Sequence, residues 1–230
     1  MEAEVLTHKI VFITNFKEDK ALIQDILDLT VPSYKSNMQL IEREVNHNRD
    51  IYIIRGEEQE LLAFFMVNYE PVDGEFTYYL GLSACSETYK GKGLVKSLYL
   101  QLMHDCRLKE QNQGKKIMLW WTTATPIVYY WFNKHAYLVQ PDMEGAYNAK
   151  GKQIAEKIVA EKFPTTIKDS QHPFILRSVA TETNYSDHEV KRISDASKNL
   201  NMNVFENFNI NEQRGDRFLM IGYAPDHSGY

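Results

Sequence analysis

The spacing of apolar and polar positions changes several times along the chain, and each change marks an element. Lys9–Phe16 (KIVFITNF) is rich in β-branched and aromatic residues and predicts a strand. The next run, KEDKALIQDILDLTVPSY, carries Leu22, Ile26 and Leu29 at helical spacing, and Pro32 closes it. A shorter helix is predicted through Leu40, Ile41 and Val45. IYIIRG and LLAFFMVNYE predict a hairpin across the polar EEQE, and Pro71, Asp73 and Gly74 predict the turn after it. Glu75–Cys85 (EFTYYLGLSAC) is a third extended run. From Gly93 the period becomes helical, with Leu94, Leu98, Leu102 and Met103 on one face and a stop at Gln113-Gly114.

Lys116–Ala124 (KIMLWWTTA) predicts a buried strand. Thr125 as N-cap and Pro126 at the first position open a helix, and YLVQP is short and extended. The order is β-α-α-β-β-β-α-β-α-β, which predicts the α/β class: a mixed sheet with helices on its faces. Beyond Pro141, KGKQIAEKIVAEKFP predicts a helix and HPFILRSVA a strand. SDHEVKRISDASKNL predicts an amphipathic helix opened by Ser186, and RFLMIGY a last strand. With no internal repeat and no low-complexity linker, one domain is predicted over 1–230. The regular pattern covers 9–140 and the strand near 217–223, and 141–215 is a less regular insertion or extension that either walls a substrate site or mediates a homodimer.

Composition narrows the partners. A formal charge of −5 leaves no domain-wide basic field, so no nucleic-acid partner is expected. Two cysteines, Cys85 and Cys106, build neither a disulfide framework nor a four-cysteine metal site. The seven histidines show no metal-ligand spacing, so no metal is expected. The first residues lack the pattern of a signal peptide and no apolar run is long enough to span a bilayer. A cytoplasmic protein without a membrane partner is expected.

The stretch that carries chemistry is Leu82–Met103 (LSACSETYKGKGLVKSLYLQLM). A strand, a glycine-containing loop and a helix form a recurrent anion site, because the first helical turn leaves N–H groups unpaired and glycines let a ligand approach the backbone. A solvated turn accounts for the same residues. The Walker A pattern fails, since Gly93 is followed by Leu94-Val95, and the dinucleotide pattern fails, since Lys96 stands where its third glycine belongs.

TYKGKGLVKSLY resembles the acyl-CoA-binding loop of the GNAT superfamily of N-acetyltransferases, whose motif runs R/Q-x-x-G-x-G/A after the fourth strand. Lys90 takes the basic position, Gly93 the first glycine and Val95 the second small position. Lysine for Arg/Gln is a mild departure, and valine for Gly/Ala is a larger one. The family order of elements matches residues 9–140, with RFLMIGY as the seventh strand and HPFILRSVA as the other candidate for it. The family segment N-x-x-A-x-x-L-Y-x-K-x-G-F is degraded here to Thr125, Val128, Trp131, Phe132, Lys134, Ala136 and Tyr137.

The resemblance implies a GNAT-like, mostly antiparallel sheet and acetyl-CoA as co-substrate. It places the co-substrate against Ala84, Cys85, Lys90, Gly91, Lys92, Gly93, Leu94, Val95, Thr125 and Phe132. It implies direct transfer of the acetyl group to an amine acceptor, with no covalent enzyme intermediate. The thioester would lie near Ser83, Ala84 and Cys85, its carbonyl polarised by the Cys85 N–H. Phe132 occupies the register of the family's general-acid tyrosine, so Tyr129, Tyr130 or water takes that role. Glu75, with Glu70 and Asp73 beside it, is the candidate region for a base. Core packing accounts for the tyrosines equally well, and a solvated hairpin end for the acids. Val95, Thr125 and Phe132 keep open an inactive CoA-binding sensor or interaction module on the same fold, and another acyl-CoA is also open.

Overall fold

The computed structural model describes residues 8–34, 38–169, 172–180, 185–198, 200 and 203–225. The first half runs β1 (Ile10–Ile13), α1 (Lys20–Thr30), α2 (Met38–His47), β2 (Asp50–Arg55), β3 (Leu61–Tyr69) and β4 (Thr77–Cys85). It continues with α3 (Leu94–Gln113), β5 (Met118–Thr123), α4 (Pro126–His135) and β6 (Tyr137–Gln140). The last third adds α5 (Ala149–Lys162), β7 (Ile167–Lys168), β8 (Ile175–Arg177), α6 (Asp187–Ser197), α7 (Val204–Asn207) and β9 (Arg217–Tyr223).

Strands pair in the order β1-β2-β3-β4-β5-β9-β8-β7, antiparallel except for the parallel β4–β5 contact. This is the GNAT-like topology, with RFLMIGY as the strand beside β5. HPFILRSVA contributes only the three-residue β8, paired to the start of β9, while β6 pairs with its other end.

Strand alternation explains why both faces are covered. On β2 and β3, Ile51, Ile53, Phe64 and Met66 pack with Leu22 and Ile26 of α1 and Ile41 and Val45 of α2. The intervening Tyr52, Ile54, Phe65 and Val67 pack with Leu94, Leu98 and Leu102 of α3. Fully burying each such side chain contributes about 1.5–3 kcal/mol, so the two helical layers hold the sheet from opposite sides.

The feature that makes a site is in β4. Between the pairs Val67↔Leu80 and Phe65↔Ser83, β4 spends one residue more than β3, a bulge at Gly81–Leu82. Pairing of β4 to β5 stops at Leu80↔Trp121, although β4 continues to Cys85 and β5 to Thr123. A bulge bends its strand, so the two parallel strands part beyond it and a gap opens between their ends.

Candidate functional site

A cleft of about 390 Å³ occupies that gap. Ser83, Ala84 and Cys85 of β4 form one wall, Trp121 and the start of α4 (Thr125, Ile127, Val128) the other. Its end is formed by Lys90, Gly91, Gly93, Leu94, Val95 and Lys96.

The loop into α3 is shaped by its glycines. Gly91 and Gly93 have φ of +80° and +86°, the left-handed region that side chains strain to enter. No atom lies within 4 Å of where a Cβ would stand at either, so backbone conformation, and not crowding, demands glycine there. The first helical bond of α3 runs from Ser97 N–H to Gly93 O (2.9 Å), which leaves the N–H groups of residues 94–96 as the unpaired donors of the first turn. These donors, at the positive end of a 20-residue helix, face the cleft where an anion is best held.

Lys90 is placed differently from what a free phosphate ligand requires. Its Nζ lies 2.7 Å from Glu87 Oε2, 2.8 Å from Glu189 Oε2 and 3.2 Å from Ser33 Oγ. Glu189 is 5% exposed and also binds Arg192 through two bonds. Burial opposes its charge, but Arg192 and Lys90 outweigh burial and hold its carboxyl below the usual range. This network ties α6 to the loop, so the last third of the chain roofs the cleft with Glu189, Arg192 and Ile193. Tyr185, just before α6, stacks on Tyr34 (centroids 5.1 Å), and both rings line the cleft. Burial, with each ring beside the other or beside carboxylates, keeps both hydroxyls protonated well into the alkaline range.

Of the residues singled out from sequence, Ala84, Cys85, Lys90, Gly91, Gly93, Leu94, Val95 and Thr125 meet at the cleft. Lys92 and Phe132 do not line it. Lys92 Nζ sits over the Tyr89 ring at 4.7 Å, and Phe132 is fully buried in the core beside Gly222. Tyr129 is not at the cleft either: it is fully buried against Phe205 and Phe218, and its hydroxyl donates to the carbonyls of Pro141 and Asp142. Tyr130 pairs with Lys134 outside the cleft. Glu75 is exposed in the β3–β4 turn, ten residues before Cys85, or about 33 Å of strand away. The Cys85 thiol is pushed up by burial, with Lys90 and Arg192 only partly opposing, so it stays a thiol at neutral pH.

Ser33, Tyr34, Tyr185, Glu189 and Arg192 are among the cleft residues that sequence reasoning missed. The amphipathic pattern and the capping Ser186, which accepts from the Glu189 N–H, mark α6 locally, but nothing in that pattern points to the loop it covers. Among the described residues no group of His, Cys, Asp and Glu is arranged to hold a metal ion, and no helix is long and apolar enough to cross a membrane.

No family model and no curated protein sequence matches the chain. The chain resembles several solved structures at low identity. One is a conserved protein of unknown function from Enterococcus faecalis V583 (13% identity, TM-score 0.40), matched over 55% of this chain and 32% of that one. A GNAT family N-acetyltransferase of Escherichia coli in complex with CoA is 17% identical over 53% of this chain and 66% of its own (TM-score 0.39). The ribosomal-protein-S18-alanine N-acetyltransferase of Escherichia coli is 10% identical, covering 96% of this chain and 97% of its own (TM-score 0.43). The chain thus spans about a third of the first of these proteins and about two thirds of the second.

Proposed function

We propose that the protein is an N-acetyltransferase that moves the acetyl group of acetyl-CoA directly to an amine. The observation that carries this reading is the junction of the parted β4–β5 ends with the first turn of α3, where N–H groups and two left-handed glycines face one cleft. The pyrophosphate of the co-substrate lies on the N–H groups of residues 94–96, and the pantetheine arm runs between Ala84–Cys85 and Thr125–Val128. Val95 lines the cleft without closing it, so the branched side chain at the family's small position is tolerated. Lys90 acts through structure, fixing the loop to α6, because its charge is already matched by Glu87 and Glu189.

The amine nitrogen attacks the thioester carbon, the carbonyl oxygen gains charge beside the Cys85 N–H, and the C–S bond breaks to release CoA. Tyr34 and Tyr185 supply protonated hydroxyls at the cleft for the leaving thiolate, a role that the buried Tyr129 hydroxyl is not positioned to take. The test is calorimetry with acetyl-CoA and CoA, followed by a thiol-release assay over an amine panel. Binding with thiol release supports the reading. Binding without release over the whole panel points to the CoA-binding sensor, and absence of binding removes both.

A further inference from the structure

Around Gly81, at the point where β4 leaves β5, polar side chains of α2 and β4 gather. Glu44 of α2 accepts from the Asn48 amide (3.1 Å) and from the Tyr79 hydroxyl of β4 (3.5 Å), both neutral donors. Asn48 is fully buried, and its Oδ1 has no hydrogen-bond partner. Its amide lies against Gly81, the bulge residue, where a Cβ would collide with it. A buried acceptor without a donor is costly, by about 1–3 kcal/mol, and marks a place where a ligand or water belongs. The other carboxylates near the gap are taken: Glu87 and Glu189 by Lys90 and Arg192, and Glu70 by His47 and Lys162.

We propose that Glu44 is the general base of the transfer and that Asn48 Oδ1 orients the acceptor amine, which enters the β4–β5 gap from the α2 face. This rests on the acetyltransferase reading above. In the step, the amine donates one N–H to Asn48 Oδ1 while its lone pair forms the C–N bond. The proton lost from nitrogen passes through one bridging water to the Glu44 carboxylate and from there to solvent, and the thiolate leaves and is protonated. The groups that face Glu44 are Arg43 and His47 on its own helix, Tyr79 from β4 and Tyr34 from the turn after α1. Burial raises the Glu44 carboxyl, with Arg43 and His47 only partly offsetting it, which brings a carboxylate toward the basicity useful near neutral pH.

The experiment measures thiol release against pH for the full chain and for Glu44→Gln and Glu44→Asp, with acetyl-CoA affinity and melting temperature measured alongside. The proposal expects kcat/KM of Glu44→Gln to fall about 100-fold at neutral pH. It also expects the acidic limb of the pH profile to disappear, Glu44→Asp to recover part of the rate, and acetyl-CoA affinity to stay at the wild-type value. A Glu44→Gln profile of wild-type shape overturns the assignment. So does a loss that follows lowered melting temperature and weakened acetyl-CoA binding in parallel, which is a structural effect. Thiol release by the wild-type chain over the amine panel tests the underlying reading separately, and its absence overturns that reading together with this assignment.

Discussion

Lys90 Nζ and Glu189 Oε2 lie 2.8 Å apart across 99 residues of sequence. The contact joins the anion-site loop to α6, and it changes what the basic residue of the motif does. A lysine whose charge is matched by two carboxylates adds little field at a phosphate, whereas a lysine that anchors a roof sets the shape of the cleft. Under the proposed function, the loop amides and glycines are left to hold the anion.

Glu189→Gln removes one buried carboxylate and leaves Lys90 and Arg192 facing a neutral amide. The expected cost is about 2 kcal/mol, in the range for hydrogen bonds to charged groups. For a chain of this size that lowers the melting temperature by about 4–8 °C. Differential scanning calorimetry reads it, and an unchanged melting temperature would show that α6 is held by its apolar contacts alone.

Gly93→Ala and Gly93→Asp separate backbone strain from charge. Both impose a left-handed residue, at about 1–2 kcal/mol, and neither meets a steric neighbour, since the space around Gly93 is open. Aspartate alone brings a negative charge to the anion site. The two variants are expected to melt at similar temperatures, while acetyl-CoA binds the aspartate variant at least about tenfold more weakly than the alanine variant, a difference of about 1.4 kcal/mol.

Acid stability follows from the carboxylates held down in the fold. In both Glu189 and Asp216 burial works against the charge, but it is outweighed by Arg192 and Lys90 in the first and by Arg214 and Arg177 in the second. A carboxyl lowered in the folded state contributes stability above its unfolded value, about 4.3 for Glu and 3.9 for Asp, and loses it as pH falls through the folded value. Urea denaturation from pH 6 downward should therefore show stability falling below about pH 4.5, with a shallower fall for Glu189→Gln.

Tyr129→Phe tests where the hydroxyl belongs. It removes a buried donor from the carbonyls of Pro141 and Asp142 and is expected to cost about 1 kcal/mol of stability. Thiol-release rates should stay within about twofold of wild type, because the ring lies outside the cleft. A rate loss of a hundredfold or more at unchanged stability would return Tyr129 to the general-acid role.

How much was legible differed by element. Helix α3 was read to its last residue, because its apolar face repeats at helical spacing and glycines bound it on both sides. Strands β2, β3 and β5 were read from apolar and aromatic runs that the sheet buries. The last third was read less well. β7, two residues long, and α7, four residues long, carry too few positions for any period to show, and α7 is formed from a stretch that reads as polar and Asn-rich.

The sequence by itself determined the order of elements from β1 to β6, the glycine loop and the helix start behind it, because these depend on local periodicity and on unpaired backbone groups. The tertiary structure alone decided that β4 parts from β5, that α6 returns to roof the cleft, and that Tyr129 and Glu75 point elsewhere. It alone placed Glu44 and Asn48 beneath Gly81. Strand register, a one-residue bulge and ion pairs across 99 residues are set by which surfaces meet after folding, and no window of neighbouring residues carries that information.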